Sequence, residues 1–231
     1  MKNPDHFFKI HFNQAGFSIA EVTAFAEDHQ ARLVENNTDG SLDTLIAETA
    51  TALEAFTGTV GEAKIVKAVQ QARISAKNQQ LAEIKESISR QSGLIIAKFG
   101  KDSPVYLRFF PQGLSEFHNA REVEIVSLLE RLTSAAKEYL PELEAVFNKH
   151  LTQWQAVSGA ASRQKAASSA SSQSRQSTLE ALQEQLTRNL LKLGLRHLGQ
   201  PEMAKRFFNT SLLYNRKSST SEEEPEEASE N

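Results

Sequence analysis

Between Gly61 and Phe99 the chain has no proline, and Val66, Val69, Arg73, Ala76, Gln80, Ile84, Ile88, Gln91 and Ile95 follow one another at intervals of three and four. That is the period of one helical face. The spacing predicts a single helix about 55–60 Å long at 1.5 Å per residue, unless Gly93 bends it. Arg73, Gln80 and Gln91 interrupt the stripe, as expected of a face that is partly hydrated or that uses polar positions to fix register in an assembly. A helix of this kind is marginal alone in water, so its apolar face needs cover from the rest of the chain or from a second copy. Homodimerisation is therefore an expectation.

Ten glycines and six prolines punctuate the 231 residues, and the segments between them repeat the same spacing. The expected fold is all-α: a helical bundle with two long helices, shorter flanking helices and a C-terminal helical hairpin. Ser18 and Glu21 have the spacing of a capping box, and Val22, Phe25, Ala26, His29 and Leu33 follow at helical intervals, which predicts a helix over 18–35. A second helix is expected from Leu42 to Phe56, closed by Gly58 and Gly61 ahead of the long one. Gly100 and Pro104 separate the long helix from a short one ending at Phe110. Leu114, Phe117, Arg121, Ile125, Leu128, Leu132, Ala135 and Tyr139 then predict the second long element, kinked or restarted at Pro141 and extended through Trp154.

Four parts are expected along the chain. Residues 1–157 form the bundle domain with an irregular N-terminal arm, where Phe8, Ile10 and Phe12 alternate with Lys9 and His11 as a strand would but read more simply as an extended segment laid on the bundle. Residues 158–178 hold eight Ser, five Ala and no large apolar side chain, and are read as a linker or an exposed helix, the linker slightly favoured. Ser177 and Glu180 repeat the capping-box spacing and open a C-terminal hairpin over 179–217, with Gly199 and Pro201 at its turn. The acidic tail 218–231 has the composition of disorder.

Within the hairpin, Leu191, Leu195, Gly199, Ala204, Phe208 and Ser211 are similar to the small-and-large pattern of a single tetratricopeptide repeat, with Lys192 where the repeat usually carries Gly and Arg216 near its usual Pro. That resemblance covers about 34 residues and implies two antiparallel helices meeting at a small residue, with a lean toward protein binding.

Several chemistries are closed by what the chain lacks. Without cysteine there is no disulfide framework, thiolate nucleophile, Cys-bound zinc or iron–sulfur cluster, which suits a reducing compartment. The longest apolar window free of charge, Gln91 to Ala97, is far short of the ~20 residues a membrane helix needs. Charges interrupt the Phe7/Phe8/Ile10/Phe12 cluster, so a secretory h-region is absent and a cytoplasmic location is the default expectation. None of the six histidines has Glu three residues before it, and Glu27-Asp28-His29 reads as a solvated turn; no metal or other cofactor is expected. Lys101 is followed by Asp102 and its glycines are wrongly spaced for a phosphate loop, and no Gly-x-Ser-x-Gly elbow occurs.

Net charge is −3, but six of the 29 acidic residues are Glu in 218–231; without them 23 acidic face 26 basic residues. No strong basic field marks a nucleic-acid protein, which leaves nucleic acid a secondary expectation. The most unusual local chemistry is Lys98 to Phe117, where Phe99, Tyr106, Phe109, Phe110 and Phe117 lie beside Lys98, Lys101 and Arg108. Aromatics interleaved with cations can stack bases, yet they serve equally to plug the end of a bundle, the role favoured here. Lys98, Lys101, Tyr106, Arg108, Phe109, Phe110, His118 and Arg121 form the candidate partner or ligand surface, and His118, Arg121 and Glu124 are expected on one helix face. The expected function is a non-catalytic helical interaction or scaffold protein. The alternatives are a nucleic-acid-associated protein and a small-ligand binder or enzyme with a dispersed site.

Overall fold

A computed structural model describes residues 9–13 and 16–213. Ser18 opens the first helix as its spacing predicts: its hydroxyl accepts from the Glu21 N–H at 3.2 Å, while the Glu21 carboxylate accepts from the Ser18 N–H at 2.7 Å. This reciprocal cap starts α1 (Ile19–Glu35), which is followed by α2 (Asp43–Phe99), α3 (Pro104–Phe109), α4 (Ser115–Asn119), α5 (Ile125–Tyr139), α6 (Pro141–Arg196), α7 (Pro201–Lys205) and a 3-10 turn at Thr210–Leu213. No strand occurs among the described residues, and the fold is an all-α helical bundle.

The two long helices are longer than the sequence divides them. Gly58 and Gly61 do not close a helix; both lie inside α2, which runs for 57 residues. Neither has the positive φ that Gly40, Gly100, Gly113 and Gly199 adopt at turns. A glycine inside a helix costs only about 1 kcal/mol relative to Ala, less than leaving a new set of helix-end carbonyls without partners. Ser177 and Glu180 likewise mark no helix start. Residues 158–178, read from composition as a linker or an exposed helix, are helical throughout and belong to the 56-residue α6. Ala, Gln, Lys and Arg carry enough helix propensity here, and the Ser169, Ser172 and Thr178 hydroxyls donate to carbonyls one turn earlier instead of capping.

Elsewhere the periodic signal overstated continuity. The stripe from Leu114 to Tyr139 is broken at 120–124, where Ala120 is extended (φ −58°, ψ 134°) and the Glu124 carboxylate accepts from the Arg121 N–H at 2.8 Å. Pro141 starts a new helix, with Leu140 out of helical geometry before it. At the C-terminal end the expected hairpin has no second arm of useful length: α7 is five residues, so the two antiparallel helices implied by the tetratricopeptide resemblance do not form.

Contacts divide the chain into two compact units, residues 1–60 with 174–231, and residues 61–173. The first unit has two apolar clusters, one of Val22, Phe25, Phe56, Leu182 and Leu186 and one of Leu33, Leu42, Leu45, Leu193 and Phe207, with Phe208 against both. Phe12 of the N-terminal arm joins this core 5.1 Å from the Phe25 ring, and the His11 N–H donates to the Thr187 hydroxyl at 3.1 Å, so this part of the arm is laid on helices. Phe7, Phe8 and the acidic tail lie outside the described residues.

The second unit gathers Ile84, Ile88 and Ile95 of α2, the aromatics of α3 and α4, and Ile125, Leu129, Leu132, Phe147 and Trp154. Its glutamines at 80 and 91 are half-buried and Arg73 is exposed, so polar side chains interrupt the stripe as the spacing places them. No helix among the described residues is long and apolar enough to cross a membrane.

Candidate protein-binding groove

Gly199 turns the chain at the end of α6 with φ +80°, in the left-handed region where L side chains are strained. Pro201, whose fixed φ suits a first helical turn, then starts α7, and the chain folds back through Phe207 and Phe208. These turns enclose an open groove of about 510 Å³ lined by Leu190, Gly194, His197, Leu198, Gly199, Pro201, Ala204, Lys205, Phe208 and Thr210. Among the described residues its lining is mostly apolar and includes no carboxylate. At Gly194 a Cβ would meet nothing within 4 Å, so the groove has open space against the helix backbone.

Along the same end of α6, Leu191, Leu195 and Leu198 remain 48%, 74% and 81% exposed at spacings of four and three. Full burial of an exposed leucine is worth about 1.5–3 kcal/mol, of which Leu191 forgoes about half and Leu195 and Leu198 most; an apolar strip beside an apolar groove is the usual mark of a binding surface. A smaller cleft of about 120 Å³ adjoins it, sharing His197 and lined also by Arg196, Met203 and Arg206.

Beneath the groove the packing is polar and nearly complete. His29 is fully buried, and its Nδ1 lies 2.7 Å from the Phe207 carbonyl, which can only accept, so Nδ1 carries the hydrogen. Nε2 then accepts from the Asn189 amide at 3.0 Å, whose second hydrogen goes to the Thr49 hydroxyl at 2.7 Å. Thr49 donates to the Leu45 carbonyl, and Gln185 donates to both Asn189 Oδ1 and Glu48, each at 3.0 Å. The imidazole stacks on Phe208 at 4.5 Å, so the residue that forms a groove wall is held by this network. Burial pushes the His29 pKa down, opposed by the Phe207 hydrogen bond and by Asp28. The Gln185 hydrogen bond, with Lys192 behind it, holds the Glu48 carboxylate below its usual range.

Comparison with known protein families, curated proteins and solved structures finds no match for the chain.

The sequence-derived surface lies in the other unit and separates into two groups. Tyr106, Phe109 and Phe110 are buried, only 4%, 0% and 0% exposed, with Phe110 edge-on to Phe117 at 5.7 Å; they plug the core. Lys98, Lys101, Arg108, His118 and Arg121 are exposed. Lys98 reaches Glu142 at 3.4 Å and lies over the Phe99 ring. His118, Arg121 and Glu124 do not share a helix face, because the 120–124 break separates them. Glu124 instead lines a polar hollow of about 490 Å³ with Glu116 and Arg131, which pair through two bonds of 2.6 and 2.9 Å.

Sequence reasoning missed the groove, although Leu190 and Leu191 carry a signal: adjacent helical residues point apart, so both cannot serve one core. It also misread His29 as part of a solvated triplet. Its place in the apolar series with Val22, Phe25, Ala26 and Leu33 is the correct signal, and Asp28 pairs outward with Arg32 at 2.6 Å. Among the described residues no three His, Asp or Glu gather as a metal site.

Proposed function

We propose that this chain is a non-catalytic helical protein-protein interaction module whose principal docking surface is the groove at the end of α6. The observation that carries the reading is the leucine strip, Leu191, Leu195 and Leu198, left exposed beside an apolar hollow that Phe208 and Ala204 help to form. A protein that leaves this much leucine in water gains when a partner covers it. The cytoplasmic setting expected from the sequence belongs to the same reading. So does self-association along α2, where Ile65 and Val69, four residues apart on one face, are 67% and 39% exposed.

The test compares the parent with the doubly substituted Leu195→Asp, Leu198→Asp protein, each used to capture partners from lysate with and without nuclease. The expected result is a defined protein recovered by the parent after both treatments and lost with the substituted form. Recovery that vanishes with nuclease, or that is equal for both forms, would overturn the reading. Sedimentation of the purified chain checks self-association.

A further inference from the structure

We infer that the groove accepts an acidic amphipathic helix of a partner protein, a conclusion that rests on the docking reading above and names its ligand class. Three features converge on this chemistry.

The first is length. The exposed strip runs from Leu191 and Leu195 in the last turns of α6 to Leu198, two residues beyond its end at Arg196; seven helical steps at 1.5 Å each correspond to about 10 Å. An occupant matching that strip presents apolar side chains over two helical turns, at the i, i+3 or i+4, i+7 spacing of helix-in-groove recognition. The second is access. Gly194 has open space where a side chain would project, and Gly199 and Ala204 also line the hollow. Small residues let a second helix approach closely, and a concave floor takes an inserted side chain rather than a flat lipid surface.

The third is charge. Among the described residues no carboxylate lines the groove or the adjoining cleft; their ionisable side chains are His197, Lys205, Arg196 and Arg206. Among the described residues Lys205 pairs with exposed Glu202 on its own helix, and Arg196 with exposed Asp39 at 3.4 Å. The Arg206 guanidinium has no acidic partner among the described residues. A cationic rim around an apolar floor selects a ligand with apolar anchors and acidic flanks. The chain's own residues 218–231 supply six Glu but no large apolar anchor.

The experiment uses the full chain and labelled synthetic peptides of about 18 residues, five helical turns, followed by fluorescence anisotropy and by the amide signals of Gly194 and Gly199. One peptide carries Leu at i, i+3, i+4 and i+7 with Glu elsewhere; the second replaces Glu by Lys; the third replaces Leu by Ser. Vesicles of phosphatidylserine and phosphatidylcholine form a further arm. The Leu/Glu peptide is expected to bind and to shift both glycine signals. Its affinity should fall at least about tenfold in Leu198→Asp and several-fold in Lys205→Glu, with loss as salt rises. Leu198 and Lys205 are exposed, so both variants are expected to keep the parent's circular dichroism, and Leu198→Ala serves as a milder check.

Equal binding of the Lys peptide would overturn the charge assignment while leaving the docking groove in place. Tighter binding to vesicles, weakened by the same variants, would overturn the helix assignment. No binding of either Leu peptide up to about 1 mM, with the glycine signals unmoved, would remove the inference and the groove together.

Discussion

His29 keeps its place only while its ring is neutral, because Nδ1 donates to the Phe207 carbonyl while Nε2 accepts from Asn189. Protonation would set two N–H donors against each other at Nε2, and burial already disfavours the charge. The unfolded chain, with an ordinary pKa near 6.5, therefore takes up a proton before the folded one does. The His29 contribution is present in full above about pH 6.5 and is lost as pH falls from there through the lower folded value. Half-buried His150 acts with the same sign, burial being the leading cause and Lys149 the next. Denaturant titrations at a series of pH values should show that decline, and side-chain nitrogen spectra should find His29 protonated at Nδ1 at neutral pH. A His29 ring that titrates at or above the ordinary value would refute the assignment. Apolar residues obey simpler arithmetic: Phe109→Ala and Phe110→Ala should each cost about 3–5 kcal/mol in chemical unfolding, since both rings are fully buried. A midpoint equal to the parent's would instead place them at the surface.

At the scale of elements, boundary chemistry was legible at the starts of α1, α3 and α7, but the capping-box spacing of Ser177 and Glu180 lies inside α6 and marks no boundary. Ser18 and Glu21, Gly100 with Pro104, and Gly199 with Pro201 each mark a boundary that the structure keeps. Gly58 and Gly61 resemble a stop only because glycine is common at helix ends; without a left-handed φ they are residues of a helix like any others. Periodicity failed in the opposite direction at 120–124, where apolar spacing continues across a break made by a single Glu124 side chain bonded to the Arg121 backbone. The buried aromatics of α3 and α4 were legible as a bundle plug, whereas the groove was not, because the small residues forming it have no periodic signature. The helical glycines make a direct test. Gly58→Ala and Gly61→Ala should each stabilise the protein by up to about 1 kcal/mol, because a Cβ at either site meets nothing within 4 Å. Differential scanning calorimetry should record a higher Tm for the double variant, and a fall would mean that the chain turns at these glycines after all.

For the whole molecule, composition and contact give different divisions, and the reason is physical. The Ser/Ala segment 158–178 stands out because it buries little, which suggests a joint; the contacts separate instead near residues 60 and 173. One unit is assembled from both ends of the sequence, so no local change of composition marks its edge, and the covering of Phe56 by Leu182 and Leu186 is visible only in three dimensions. Charge is the property that acts on the molecule as a whole. Residues 218–231 carry six of the 29 acidic side chains, and deleting them moves net charge from −3 to +3. Because that segment has no large apolar side chain, the deletion should leave the thermal midpoint unchanged; a cooperative loss of several degrees would show that it supports one of the cores. Binding should respond even though stability does not. Removing six negative charges raises the potential at the groove's cationic rim, so the Leu/Glu peptide should associate faster with the truncated chain, with an advantage that disappears as salt screens it. Stopped-flow association rates at low and raised salt measure this, and equal rates for the two chains at low salt would show that the long-range field plays no part in recognition.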